Sequence, residues 1–294
     1  MTFQQGGQFE GGRVRQSRGG GRGGGRGLAV GGGAGGLVVL VLALLFGGDV
    51  GSMLTGGRGG TGGAAQVEDV GSCTAEQANT DRTCRLSATA QALDEYWQPE
   101  LERLGAQIPG VESFEGATDT GCGAASASTG PFYCPPDQTI YLDLGFYDLL
   151  ASRFGASDGP LAEIYVTAHE YGHHLQNVLG TFASADRSGT GEGSDSVRLE
   201  LQADCYAGMF VGDAATTVDP DTGVTFLEPI TAEQLRNALD AAAAVGDDSI
   251  QAQGGQVNPD SWTHGSSEQR QTWFTTGYEQ GSLDACDTFA VAQP

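Results

Sequence analysis

The chain has 294 residues, a net charge of −23, 49 glycines and no lysine. Charge is unevenly shared: five of the arginines but only one acid, Glu10, precede residue 28, whereas 36 acids follow residue 48. So acidic a body repels phosphate, which argues against nucleic acid as its partner, and its residues suffice to bury one sizeable core.

Residues 1–27 are mostly Gly, Gln and Arg, a composition that builds no core, and they are expected to be a disordered tail. The run RGGGRGGGRG resembles an RNA-binding tract, but the apolar stretch directly after it favours another reading. Between Gly27 and Gly48 there is no charged residue, and the stretch ends in LVVLVLALLF. At about 1.5 Å per residue, a helix over 28–47 would span the ~30 Å hydrocarbon core of a membrane. Arginines before it and acids after it predict a cytoplasmic tail and an extracytoplasmic body anchored in the cell membrane by one helix. A cleaved signal peptide is the rival, although no small-x-small site lies close behind the apolar run.

Residues 48–84 are expected to be a flexible linker, Gly-rich over 48–72, with the folded body running from 85 to 294. Helical spacing covers Leu86 to Leu104, with Ser87 as a candidate cap and Pro99 as an expected kink or break. A short strand is read at 111–114, a Gly- and Pro-rich loop at 118–138, a strand at 139–144 and a helix at 146–154. A helix from about Pro160 to Leu179 would take Asp158 as its cap and stop at Gly180. Further helices are predicted at about 196–211, from a capping box at Thr231 to Val245, and from near Ser266 to just before Gly281. The predicted fold class is α+β, mainly helical with a small sheet.

Six cysteines, none in a C-x-x-C pair, argue against a cysteine zinc knuckle. Two local pairs suggest themselves, Cys73 with Cys84 and Cys122 with Cys134, leaving Cys205 with Cys286. This is one connectivity among several, and buried free thiols are the alternative.

The chemistry concentrates in the 160–179 helix, which contains the H-E-x-x-H pattern His169-Glu-Tyr-Gly-His173. Positions i and i+4 share a helix face, so His169 and His173 can offer two imidazoles to one zinc ion with Glu170 beside them. Three of the four histidines lie on this one helix, which lowers the odds of a chance match. A third ligand must come from elsewhere, because Gln176 and Leu179 stand where the H-x-x-G-x-x-H extension needs Gly and His. In the next helix Glu200 and Asp204 are again i and i+4, set among Leu199, Leu201 and Ala203. Acids in so apolar a stretch are expected to be partnered. Glu200 is the candidate ligand, and Asp204 the candidate acceptor for the other ring N–H of a ligand histidine. An ordinary acidic helix face is the plainer alternative.

HEYGHH at 169–174, ELQADCYAG at 200–208 and THGSSEQR at 263–270, with GPFYCPPD at 130–137 and YLDLGFYDLL at 141–150, closely resemble the bacterial neutral zinc metallopeptidase family. The resemblance covers roughly residues 85–294. It implies a zincin-like, membrane-anchored peptidase of gluzincin type, with Zn2+ as cofactor and peptides or proteins as substrates. Glu170 would then be the general base toward a zinc-activated water. By analogy with thermolysin-like enzymes, His264 would donate to the tetrahedral oxyanion; a capping or packing role is its alternative. Arg270 reads as a salt-bridge partner and His174 as an outer or packing residue. The strand at 139–144 would be the edge along which substrate adds. The competing class is an inactive, zinc-stabilised envelope scaffold.

Overall fold

A computed structural model describes residues 2–18, 66–126, 129–154 and 159–294. Nine strands are named in chain order: β1 (Gln8–Phe9), β2 (Arg15–Arg18), β3 (Gln66–Asp69), β4 (Cys73–Thr74), β5 (Gly110–Glu115), β6 (Ala117–Thr120), β7 (Gly123–Ser126), β8 (Phe132–Cys134) and β9 (Thr139–Asp143). The helices are α1 (Ala75–Thr80), α2 (Arg82–Leu104), α3 (Phe146–Phe154), α4 (Pro160–Leu179), α5 (Thr181–Ser184), α6 (Asp195–Asp213), α7 (Ala232–Ala244), α8 (Asp247–Gln253) and α9 (Ser267–Gln280).

The α+β expectation agrees with this architecture, but the membrane anchor does not. The segment expected to span, 28–47, lies outside the described residues, and among the described residues no helix is long and apolar enough to cross a membrane. The expected tail and body also share one sheet, whose order is β3-β2-β5-β9-β8. Strand β2 pairs antiparallel with β3 and parallel with β5, so Arg15 faces Asp69 on one side and Glu112 on the other. A single crossing between residues 18 and 66 would put these neighbours on opposite faces of a bilayer. The single-pass arrangement with a cytoplasmic N-terminus and an extracytoplasmic body is therefore overturned.

Residues 2–18 are not a disordered tail. Phe3, Phe9 and Val14 are buried, the Asn79 side-chain oxygen accepts the backbone N–H groups of Thr2 and Phe3, and β1 pairs with β4. Arg13 forms an ion pair with Asp94 of α2, and Asp94 also accepts the Tyr171 hydroxyl from α4 at 3.1 Å. Nor are residues 66–84 a linker: they carry β3, β4 and α1, closed by the Cys73–Cys84 disulfide. The other two disulfides are Cys122–Cys134 and Cys205–Cys286.

Three local expectations change. Helix α2 starts at Arg82, capped by Asp81 rather than Ser87, and runs through Pro99 without a break, held on both sides by buried Trp97 and Leu101. Pro160 opens α4 and Gly180 ends it with φ 82°, but Gly159 occupies the cap, and Asp158 lies outside the described residues. The strand at 139–143 is not an edge: β9 lies between β5 and β8, and β8 is the edge strand on that side.

Helix α4 packs against α2, α6, α7 and β8. Helices α6 and α9 meet backbone to backbone: a Cβ added at Gly208 would stand 2.0 Å from the Phe274 carbonyl oxygen, and one at Gly277 1.9 Å from that of Cys205. On its other side α6 meets α4, where a Cβ added at Gly172 would stand 3.0 Å from the Ala203 backbone, so α4, α6 and α9 lie side by side and each contributes polar side chains to one buried cluster.

Candidate metal centre

His169, His173 and Glu200 come together, their ligand atoms all within 4.8 Å of one another. His169 Nε2 lies 3.2 Å from one Glu200 oxygen and His173 Nε2 3.6 Å from the other. The helical spacing accounts for this, since i and i+4 on α4 face the carboxylate that α6 presents one layer away.

The remaining ring nitrogens have their own partners. His169 Nδ1 lies 2.8 Å from Asp204 Oδ1. His173 Nδ1 lies 2.8 Å from Gln176 Oε1, and the Gln176 amide is oriented by donating to the Leu199 carbonyl at 2.6 Å. Both Nδ1 atoms therefore carry hydrogen and donate, which leaves Nε2, facing Glu200, as the nitrogen that a metal ion could take in exchange for a proton. Two imidazole nitrogens and a carboxylate, with acceptors behind both imidazoles, are a donor set that suits zinc.

Asp204 is fully buried, and its charge is well compensated. Arg270 of α9 grips it with two hydrogen bonds, at 2.7 and 2.9 Å, and the Tyr165 hydroxyl donates to it at 2.6 Å. Burial would raise the Asp204 carboxyl, but Arg270 and His169 outweigh it and hold the group down to about 2. Burial would likewise depress His169, yet Asp204 and Glu200 lift it to about 10. Glu200 is drawn below the usual carboxylate range, its burial outweighed by His173, His264 and His169. Glu170 moves the other way: burial pushes its carboxyl up, opposed only in part by the two histidines. A buried carboxyl close to two imidazoles that readily takes a proton suits a general base.

His264 lies just before α9. Its Nδ1 is 2.9 Å from the Thr263 hydroxyl and 3.5 Å from Asp247 Oδ1. The other Asp247 oxygen accepts the backbone N–H groups of Thr263, His264 and Gly265 at 2.7, 2.6 and 3.1 Å. Burial would lower the His264 pKa, but the charges of Glu200 and Asp247 raise it, so the ring belongs to the same electrostatic cluster as the candidate metal ligands. His174 belongs elsewhere. It is fully buried, between the Tyr133 hydroxyl of β8 at 3.0 Å and the Gln107 carbonyl at 2.8 Å, and burial lowers it to about 4.

Sequence reasoning missed four members of the cluster. Tyr165 is four residues before His169 and Gln176 three after His173, so helical spacing could have found both. Thr263 directly precedes His264 in sequence, whereas Asp247 had no local signal.

Residues 3–289 match the family described as "Putative neutral zinc metallopeptidase". An uncharacterized protein of Mycobacterium tuberculosis (strain ATCC 25618 / H37Rv) is 49% identical over 226 residues, 76% of each chain. The uncharacterized protein YpfJ of Escherichia coli (strain K12) is 38% identical over 276 residues, 87% of each chain. No solved structure gives a significant match.

Proposed function

Since the chain belongs to the neutral zinc metallopeptidase family, we propose that it is a zinc-dependent peptidase of gluzincin type, with His169, His173 and Glu200 as the zinc ligands. One observation carries this reading: two imidazoles, each held by an acceptor at Nδ1, converge with a carboxylate to within 4.8 Å. Bound there, zinc would supply Lewis acidity, polarising a peptide carbonyl and acidifying a water molecule.

The chain's own groups supply the rest. Glu170 accepts the proton of the attacking water at a carboxylate oxygen and returns it to the departing amine nitrogen. Burial raises its affinity for that proton, which suits both halves of the transfer. Asp204 and Gln176 keep the two imidazoles in one tautomer and orientation. His264, braced by Asp247 and Thr263, donates a hydrogen bond to the oxyanion that forms at the scissile carbon.

The full-length protein should carry about one zinc per chain by metal analysis and cleave a denatured protein substrate. Glu170→Gln should keep the zinc and lower cleavage by roughly 10²–10⁴-fold. Equal turnover in the variant would remove Glu170 as the base. A wild-type protein that holds zinc but cleaves nothing would favour a zinc-stabilised scaffold.

A further inference from the structure

Phe182, just beyond the end of α4, stacks its ring on the His173 imidazole, with centroids 5.8 Å apart and planes 30° apart. Arg187 places its guanidinium over the Phe182 ring, 5.4 Å from the centroid. Both side chains are partly exposed. The segment that carries Arg187 is tied to the start of α6. The Ser196 hydroxyl approaches the Arg187 and Gly189 carbonyls at 3.4 and 2.9 Å, and the Asp195 carboxylate accepts the Asp186 N–H at 2.8 Å. Ser196 stands four residues before Glu200, about 6 Å along the helix. The stack is thus fixed to the metal centre at two points, by its ring on His173 and by its backbone one turn from Glu200.

The charge of Arg187 is unusual in its setting. The chain is strongly acidic, and Glu170, Glu200, Asp204 and Asp247 all lie in or against the metal cluster. Among the described arginines, Arg13, Arg15, Arg82, Arg85, Arg103 and Arg270 are held in ion pairs, Arg82 lying over the Tyr147 ring as well, and Arg198 donates to backbone carbonyls near the C-terminus. Arg187 rests on an aromatic face with no ion pair to a described residue. A guanidinium held over a ring by its charge keeps its N–H donors for other partners, and the partly exposed Arg187 group has the fork that fits a carboxylate. An extended peptide advances about 3.3–3.6 Å per residue. A guanidinium one ring beyond His173 is therefore about three residues from a bond held at the metal.

We infer that Phe182 and Arg187 form a substrate subsite beside the metal centre that takes a carboxylate within about three residues of the scissile bond. The carboxylate is either an Asp or Glu side chain or the free C-terminus of the peptide. This inference rests on the peptidase reading and names the class of peptide that reading would favour.

The test uses the full-length protein and peptides of one core sequence. One pair carries Glu or Gln near the scissile bond, a second ends in a free carboxylate or an amide, and one further peptide carries Lys. Two readouts run in parallel: kcat/KM on the wild-type protein, and Kd by fluorescence anisotropy on Glu170→Gln. A carboxylate should be favoured about tenfold in both, as for a charge-assisted contact at a partly exposed site. The pair that shows the ratio identifies the source of the carboxylate. Arg187→Gln should bring the ratio to about one, and Arg187→Glu should turn the preference toward the Lys peptide, both with zinc content and circular dichroism unchanged. The same ratio in wild type and Arg187→Gln, or no charge preference in the wild type, overturns the subsite. Charge-selective binding without cleavage would refute the peptidase reading and leave the subsite standing. Cleavage without preference would do the opposite.

Discussion

Asp204 and Asp247 do related work at two histidines. Each is a buried carboxylate that braces an imidazole and is itself neutralised, Asp204 by Arg270 and Tyr165, Asp247 by three consecutive backbone N–H groups. The Asp247 carboxyl lies below its ordinary range, because these hydrogen bonds and His264 outweigh its burial. A carboxyl depressed in the folded state adds stability that is complete above the unfolded pKa of about 3.9 and is lost as pH falls below it. Asp247→Asn should therefore cost about 1–3 kcal/mol near pH 7. Thermal unfolding should show the gap between variant and wild type closing below about pH 4; a gap that stays constant or widens in acid would contradict the assignment. The residue scale was legible where periodicity reaches. His169 with His173 and Glu200 with Asp204 are i, i+4 pairs, and their faces follow from the helix alone. Asp247 is 17 residues from His264, on a short helix with no apolar pattern, so only tertiary structure joins them.

The centre depends on three helices whose separation is set by glycine. Helix α6 carries Glu200 and Asp204, and α9 carries Arg270, so the Asp204–Arg270 grip requires the close approach at Gly208 and Gly277. Gly→Ala inside a helix is ordinarily stabilising by about 1 kcal/mol. At Gly208 the sign should reverse, because the new Cβ would meet the backbone of Phe274 rather than a side chain that can turn away. Gly208→Ala should cost roughly 1–3 kcal/mol in urea unfolding and weaken zinc binding about tenfold in a chelator competition. A stabilised variant would show that the helices tolerate separation. Most of these helices were readable from caps and spacing: the boxes at Thr231 and Ser266 both form. The start of α2 was not, because residues 82–85 are polar in sequence yet enter the interior through a disulfide at Cys84 and the pairing of Arg85 with Glu163. Nor could 139–143 be recognised as an inner strand, since its position depends on the distant partners β5 and β8.

At the scale of the molecule, the first residues were the least legible. Gly-rich sequence with strands reading QF and RQSR has no apolar alternation, and only Phe3, Phe9 and Val14 mark where it packs. These three are worth about 1.5–3 kcal/mol each when buried, together comparable with the stability of a whole domain. Deleting residues 2–18 should thus cost about 5 kcal/mol or more in denaturant unfolding and strip β3 and β5 of hydrogen-exchange protection. An unchanged midpoint would mean that the segment adheres without supporting the fold.

The place of β2 also bears on how the chain comes to be folded. On one side Arg15 pairs with Asp69, and on the other with Glu112, nearly a hundred residues later. A sheet closed by such distant partners must lose a large loop entropy before it gains its contacts, the hallmark of slow folding. During synthesis β2 emerges well before β5, yet its slot between β3 and β5 forms only when residue 115 has been added. Residues 15–18 are thus made well before the second of their two partners, and that side of β2 stays unpaired until β5 has been added.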